Sequence, residues 1–219
     1  MGEDSTARGR KKAPDVPLTR ERIVAAALAL VDEEGPGALS MRRLGSRLGA
    51  DPMAVYYHVP GKDALLDAIV EAVMAEIVVD DDRSAPAEER ILRTAESYRD
   101  ALLAHARSLP IVLTRSPATP AAMRPVEVLL AILCDAGLPP ARAMAGMNAL
   151  AALVRGLVGL AVECGDRPPT AEQLAELAAT YPEDEFPHLR STPVCAEDFL
   201  GADFEYGVRA LARGLLGSA

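Results

Sequence analysis

No stretch of this chain alternates apolar and polar residues with the β-branched or aromatic side chains that a strand needs, and that excludes most architectures at once. Apolar residues recur instead at three-to-four-residue spacing among Ala, Leu, Arg and Glu, the types that lose least on entering a helix. The expected fold class is all-α, with Pro and Gly as the punctuation between helices. Thr19 is placed to cap RERIVAAALALVDEEG, where Ile23, Ala27, Leu30 and Val31 share one face and Gly35 is a stop. Ser40 caps MRRLGSRL, which Gly49 ends. Asp51-Pro52 opens a third helix, only about six residues long, because Pro60 drives Val59 out of the helical region. A fourth is expected from Lys62 to about Val79, with Leu66, Ile69, Val73 and Ile77 on one stripe. The same reading places helices at 87–106, 110–114, 120–136, 140–164 and 197–216, with a further one at 171–179 inside a polar, Pro-rich stretch from 166 to 196. No internal repeat of fixed period is present.

Charge divides the chain. Residues 1–62 carry 10 Lys+Arg against 8 Asp+Glu, whereas residues 63–219 carry 13 against 24, so a weakly basic N-terminal module sits on an acidic body. Such asymmetry is one signature of a chain with a nucleic-acid-binding end. Cys134, Cys164 and Cys195 are odd in number and widely spaced, which suggests neither a disulfide framework nor a zinc site and fits reduced thiols in the cytoplasm. The start, MGEDSTARGRKKAPDVP, has basic residues without an apolar segment after them and is expected to be a flexible tail over 1–16. Residues 143–162, AMAGMNALAALVRGLVGLAV, hold only Asn148 and Arg155 as polar members and satisfy the length of a membrane span. An arginine in mid-span is costly, and the Ala and Gly content suits close helix packing. The expectation is therefore a helix with one face on a core or pocket and the other on a second subunit, where Gly146, Ala149, Ala152, Gly156 and Gly159 allow close approach, and no membrane partner.

Helices two and three, separated by Gly49, have the proportions of a helix-turn-helix, with Leu44, Leu48 and Val55 set to pack on Ile23, Ala27 and Leu30. Such a unit presents its short helix to the major groove of duplex DNA while the preceding helix crosses the backbone. Arg42 has the fork to meet guanine O6 and N7, and Met53 and Ala54 suit thymine methyl groups. Tyr56, His58 and Lys62 bring a hydroxyl, an imidazole and an ammonium to where phosphate oxygens would lie. Each residue has a plainer reading: tyrosines near a helix end are more often core and rim, and an arginine there is more often a solvated charge. Spacing alone does not decide between them. No GxSxG, HExxH or phosphate-cradling Gly loop is present, so an enzyme finds no support, and neither a cofactor nor a metal is expected.

LTRERIVAAALALVDEEGPGALSMRRLGSRLGADPMAVYYHVPGKDALLDAIVEAV as a whole resembles the N-terminal DNA-binding domain of the TetR family of bacterial transcriptional regulators, without gaps over about 60 residues, and YYHVPGKDALLDA is similar to the tetracycline repressor subgroup. The resemblance implies that Ser40, Arg42, Pro52, Met53, Ala54, Tyr56, His58 and Lys62 face DNA. In that subgroup the positions of Pro52 and Ala54 hold Gln and Thr, so a different operator sequence is implied. The subgroup's drug-binding and magnesium-binding histidines fall at about Val78 and Val112, and tetracycline-magnesium recognition is not expected. The implied pocket is apolar, with Tyr98, Leu102, His105, Met123, Val126, Leu130, Met144 and Met147 as candidates.

The expected organisation is a tail (1–16), a helix-turn-helix domain with its connecting helix (17–79), and a ligand-binding and dimerisation domain (80–219). The expected function is a homodimeric repressor released from palindromic double-stranded operator DNA by a small effector. Two alternatives are a small-molecule-binding protein and a helical enzyme, neither binding DNA.

Overall fold

Local capping fixes the N-terminal helices as their sequences require. Thr19 Oγ1 accepts the Arg22 N–H at 3.3 Å and starts α1 (Arg20–Glu34). Ser40 Oγ accepts the Arg43 N–H at 3.2 Å and starts α2 (Met41–Leu48). Asp51 Oδ1 accepts the Met53 N–H at 2.8 Å ahead of α3 (Pro52–His58), whose first residue is a proline that needs no donor there. Ile23, Ala27, Val31, Leu44 and Val55 are essentially solvent-free and form the centre of this head, with Leu48 half-buried against it. Gly49 ends α2 in the left-handed conformation (φ 65°), which an L side chain rarely adopts. Gly45 has a separate role: a Cβ there would lie 2.9 Å from the Ala50 carbonyl oxygen and 3.3 Å from the Pro52 nitrogen. Only a residue without a side chain lets α3 start this close to α2.

The chain, described here by a computed structural model over residues 17–79, 82–165, 170–191 and 200–217, contains eleven α-helices and no strand among those residues. The expected tail over 1–16, Cys195 and residues 197–199 of the expected last helix lie outside the described residues. α4 (Lys62–Ala75) ends four residues short of the expected Val79. Its last turn closes on Glu76, and the Val78 N–H donates to Ser97 Oγ at 2.7 Å instead of continuing the helical ladder. A run of β-branched Ile77, Val78 and Val79 gives little helical preference to oppose that bond.

The body comprises α5 (Ala87–Ala104), α6 (Leu109–Thr114), α7 (Pro120–Asp135), α8 (Pro140–Cys164), α9 (Ala171–Ala179), α10 (Pro187–Ser191) and α11 (Ala202–Leu216). Short 3₁₀ turns at Pro36–Ala38 and Ala106–Ser108, and α10, go beyond the sequence expectations. α5 and α8 pack on each other and each packs on α7 and α11, and α4 packs on both α1 and α7. Phe204, Val208 and Ala212, one stripe of α11, are fully buried. On the outer side of that contact Arg209 reaches Glu88 at 3.0 Å and Glu89 at 3.3 Å, and Arg213 reaches Glu88 at 2.9 Å. Hydrogen bonds from Arg213 and Arg209 hold the Glu88 carboxyl below the usual glutamate range.

α8 is long and apolar enough to cross a membrane, yet only 22% of its most apolar window is buried. Ala143, Gly146, Leu150, Val154 and Val158 make its buried face. Gly146, expected to meet a second subunit, is instead occupied from within: its open side faces Leu215 of α11, whose Cδ2 would be 2.9 Å from a Cβ. Ala149, Ala152 and Gly156 do lie on the exposed face.

Gly45→Ala is expected to lower stability by about 1–3 kcal/mol, the usual cost of forcing backbone apart. Urea unfolding measures it, with Gly37→Ala as the control, because a Cβ at Gly37 meets nothing within 4 Å.

Candidate functional site

The outer surface of α2 and α3 is sorted by ion pairing. Arg43 is bound to Glu34, and Arg47 reaches Glu33 at 2.6 Å, so two arginines of α2 are held down on the end of α1. That hydrogen bond from Arg47 lowers the Glu33 carboxyl below its ordinary range. Arg42 and Lys62 have no carboxylate partner among the described residues, and both are exposed. Arg42 opens onto a shallow hollow that it lines with Ser40, Arg43 and Ser46. Ser40 uses its hydroxyl on the helix cap, leaving Arg42 as the charged donor there. Met53 is 73% exposed and Ala54 also faces solvent, while Pro52 and His58 are partly covered. Tyr57 goes beyond the sequence reading: at 86% exposed it projects further than Tyr56 at 44%, and it stands edge-on to His58 with centroids 5.3 Å apart. Its signal was the core register of α3, since Val55 and Val59 face inward and a residue between them faces out.

A cavity lies in the body between the end of α4 and helices α5, α7 and α8. Its volume is about 70 Å³. Since one water needs at least about 10–15 Å³, the cavity holds only a small body unless its walls move. Of the candidates named from sequence, Tyr98, Val126 and Met147 line it. Leu102 is sealed in the core, Leu130 is half-buried elsewhere on α7, and Met123 and Met144 lie on the surface at 39% and 43% exposure. The stripe through Tyr98 enters the cavity toward the start of α5, through Ile91, Thr94 and Ala95, and not toward Leu102 and His105. Met74 of α4, Ile77 just beyond its end, and Leu150, Val154 and Arg155 of α8 also line it, and the sequence reading did not include them. Helical spacing from Met147 to Val154 was the available signal. Val78 is exposed at 74% and Val112 is buried, so neither lines the cavity.

Arg155 is the charged residue of that lining. Its Nε donates to Tyr98 Oη, and its guanidinium carbon lies 5.7 Å from the Tyr98 ring centroid. Burial pushes the Tyr98 phenol up, and the charge of and hydrogen bond from Arg155 oppose but do not cancel that shift, so it stays a neutral hydroxyl at ordinary pH. No group of three or more His, Cys, Asp or Glu able to hold a metal occurs among the described residues.

His105 belongs to the junction between head and body. Its Nδ1 is 2.8 Å from Asp32 Oδ2 on α1, and its Nε2 is 3.1 Å from both carboxylate oxygens of Glu76 at the end of α4. Arg107 donates to the Glu33 carbonyl, and Arg115 reaches Asp67 at 2.5 Å and Asp63 at 2.7 Å at the start of α4. Residues 105–115 thus form a strap tying the body to α1 and to both ends of α4.

Two family models match the chain: "Bacterial regulatory proteins, tetR family" over residues 23–69, and "Tetracyclin repressor-like, C-terminal domain" over residues 85–217. An HTH-type transcriptional regulator of Saccharopolyspora erythraea is 33% identical over 171 residues, covering 75% of this chain and 72% of that protein. The tetracycline repressor protein class A from transposon 1721 of Escherichia coli is 34% identical over 209 residues, covering 90% of each. Among solved structures, the Streptomyces coelicolor TetR family protein ActR in complex with actinorhodin superposes with a TM-score of 0.82 at 31% identity, covering 93% of this chain and 99% of that one.

His105→Leu removes the shared partner of two carboxylates and is expected to cost about 1–3 kcal/mol, because Asp32, whose Oδ1 is already buried without a partner, loses its contact. A double-mutant cycle with Asp32→Asn, read by urea unfolding, should return a coupling energy well above zero.

Proposed function

Since this chain belongs to the TetR family of bacterial transcriptional regulators, we propose that it is a homodimeric repressor whose grip on a palindromic operator is released when a small, largely apolar molecule enters the body cavity. The family consists of regulators and not enzymes, which removes the helical-enzyme alternative. The observation that carries the proposal is α4. Its first turn adjoins the reading helix through Gly61 and Lys62, and its far end supplies Met74 to the cavity wall, with Ile77 following just past the last turn. A molecule that prefers a cavity with those two side chains displaced shifts α4, and with it the spacing of two heads that must meet successive major grooves about 34–36 Å apart.

On this reading Arg42 meets a base edge, Tyr56, Tyr57, His58 and Lys62 clamp and position on the DNA, Ser40 holds α2 in place, and Pro52, Met53 and Ala54 carry the rest of the sequence preference. The lack of a carboxylate partner for Arg42 and Lys62 among the described residues, and the exposure of Met53 and Tyr57, support that assignment. The exposed apolar residues Met144, Leu160 and Tyr206 support α8 and α11 as the face that meets a second copy, with α8 an interface helix and no membrane span. A DNA-binding role puts the protein in the cytoplasm.

In a mobility-shift titration on a palindromic fragment from upstream of its gene, the protein should bind in a salt-sensitive manner. Arg42→Ala should weaken binding about tenfold or more, and Arg43→Ala much less, because Glu34 already occupies Arg43. Equal losses, or binding indifferent to salt, contradict the assignment.

A further inference from the structure

Arg155 is the residue that makes α8 unsuitable as a plain core helix, and packing alone does not account for it. The run from Ala143 to Val162 is otherwise apolar except for Asn148, which is exposed. A Met or Leu would fill the same place beside Tyr98 without bringing a cation to an apolar wall. A guanidinium carries five N–H donors. One of them, on Nε, is used on Tyr98 Oη, and the described residues offer no carboxylate or carbonyl to the others. The remaining polar side chains on the wall are few. Thr94 Oγ1 donates to the Arg90 carbonyl within its own helix and is already occupied. Tyr98 accepts from Arg155 through its oxygen, which leaves the phenolic hydrogen free to donate. The wall therefore presents a cluster of donors with no matching acceptor, backed by Met74, Ile77, Ile91, Leu150 and Val154. Arg155 is only partly buried and its terminal nitrogens keep contact with solvent, so these donors stand open at the cavity wall, and a carboxylate is the group that would engage two of them at once.

We propose that the molecule this cavity accepts is an organic acid: an apolar body bearing one carboxylate, seated on the Arg155 guanidinium with Tyr98 Oη as a further donor. The planar fork of an arginine matches a carboxylate in two parallel hydrogen bonds, a geometry that a lysine or a neutral amide does not reproduce. The body of the acid lies along the methionine and isoleucine side of the slot. Met74 and Met147 are unbranched and adapt readily, so they are the side chains able to give way as the slot of about 70 Å³ opens. The inference rests on the reading of the cavity as the effector site and adds the chemistry of the effector to it.

The test uses 2-naphthoate and its uncharged isostere 2-naphthamide, titrated calorimetrically into the full-length protein. The wild type is expected to bind the naphthoate about tenfold or more tighter than the naphthamide, the range for a hydrogen bond to a charged group. Arg155→Met should abolish that preference by weakening the naphthoate alone, and Arg155→Lys should retain part of it. Equal affinity of the wild type for the two probes overturns the inference while leaving the cavity as an effector site, and needs no variant to fold. Equal loss of both probes in Arg155→Met also overturns it, since a merely structural arginine would behave that way. Binding of neither probe overturns the inference together with the effector reading.

Discussion

One helix is required to belong to two cores at once. Leu65, Ile69, Val70 and Val73 of α4 are fully buried, and the helix packs on α1 in the head and on α7 in the body. Each fully buried side chain of this size contributes roughly 1.5–3 kcal/mol relative to exposure, so neither contact is readily given up. The head cannot reorient by letting go of α4, and the body cannot move α4 without carrying the head. A surface helix bound to a single partner would transmit nothing. Interdigitated contacts on both sides turn a small displacement at one end into a rigid-body movement at the other.

The strap over residues 105–115 reinforces that sharing with polar contacts. His105 joins Asp32 of α1 to Glu76 at the end of α4, while Arg115 holds Asp63 and Asp67 at its start. The exposed Arg115 pairs add little stability in water but fix direction, and the less exposed His105 contact adds register to the junction. The cavity has the end of α4 as one wall. Its small volume has a consequence for energetics. A ligand that needs a larger slot binds the widened state in preference to the resting one, and such differential affinity is the sole source of a population shift.

What the sequence made legible is what local chemistry decides. Thr19, Ser40 and Asp51 cap the helices they precede, Gly49 turns left-handed, and the core set Ile23, Ala27, Leu30, Leu44 and Val55 follows from helical period alone. The end of α4 was not legible, because a hydrogen bond from Val78 to Ser97, 19 residues away, sets it. The role of Gly45 depends on how closely α3 returns to α2, which spacing does not reveal. For the cavity, the stripe through Tyr98 was found but not the direction in which it opens. Leu102 and His105 continue the same face toward the junction, and Ile91 and Thr94 carry it into the slot. Arg155 was visible as a misfit in an apolar run, and its meaning required the position of the Tyr98 hydroxyl.

If α4 couples cavity and reading heads, the two ligands must oppose each other by the same factor, because coupling free energy is reciprocal. The direct measurement is the affinity of one cavity ligand for the free protein and for the protein saturated with operator DNA. The account predicts weaker binding on DNA, by the factor by which that ligand weakens DNA binding, on the order of 5–150-fold for typical couplings. Equal affinity in the two states would contradict it.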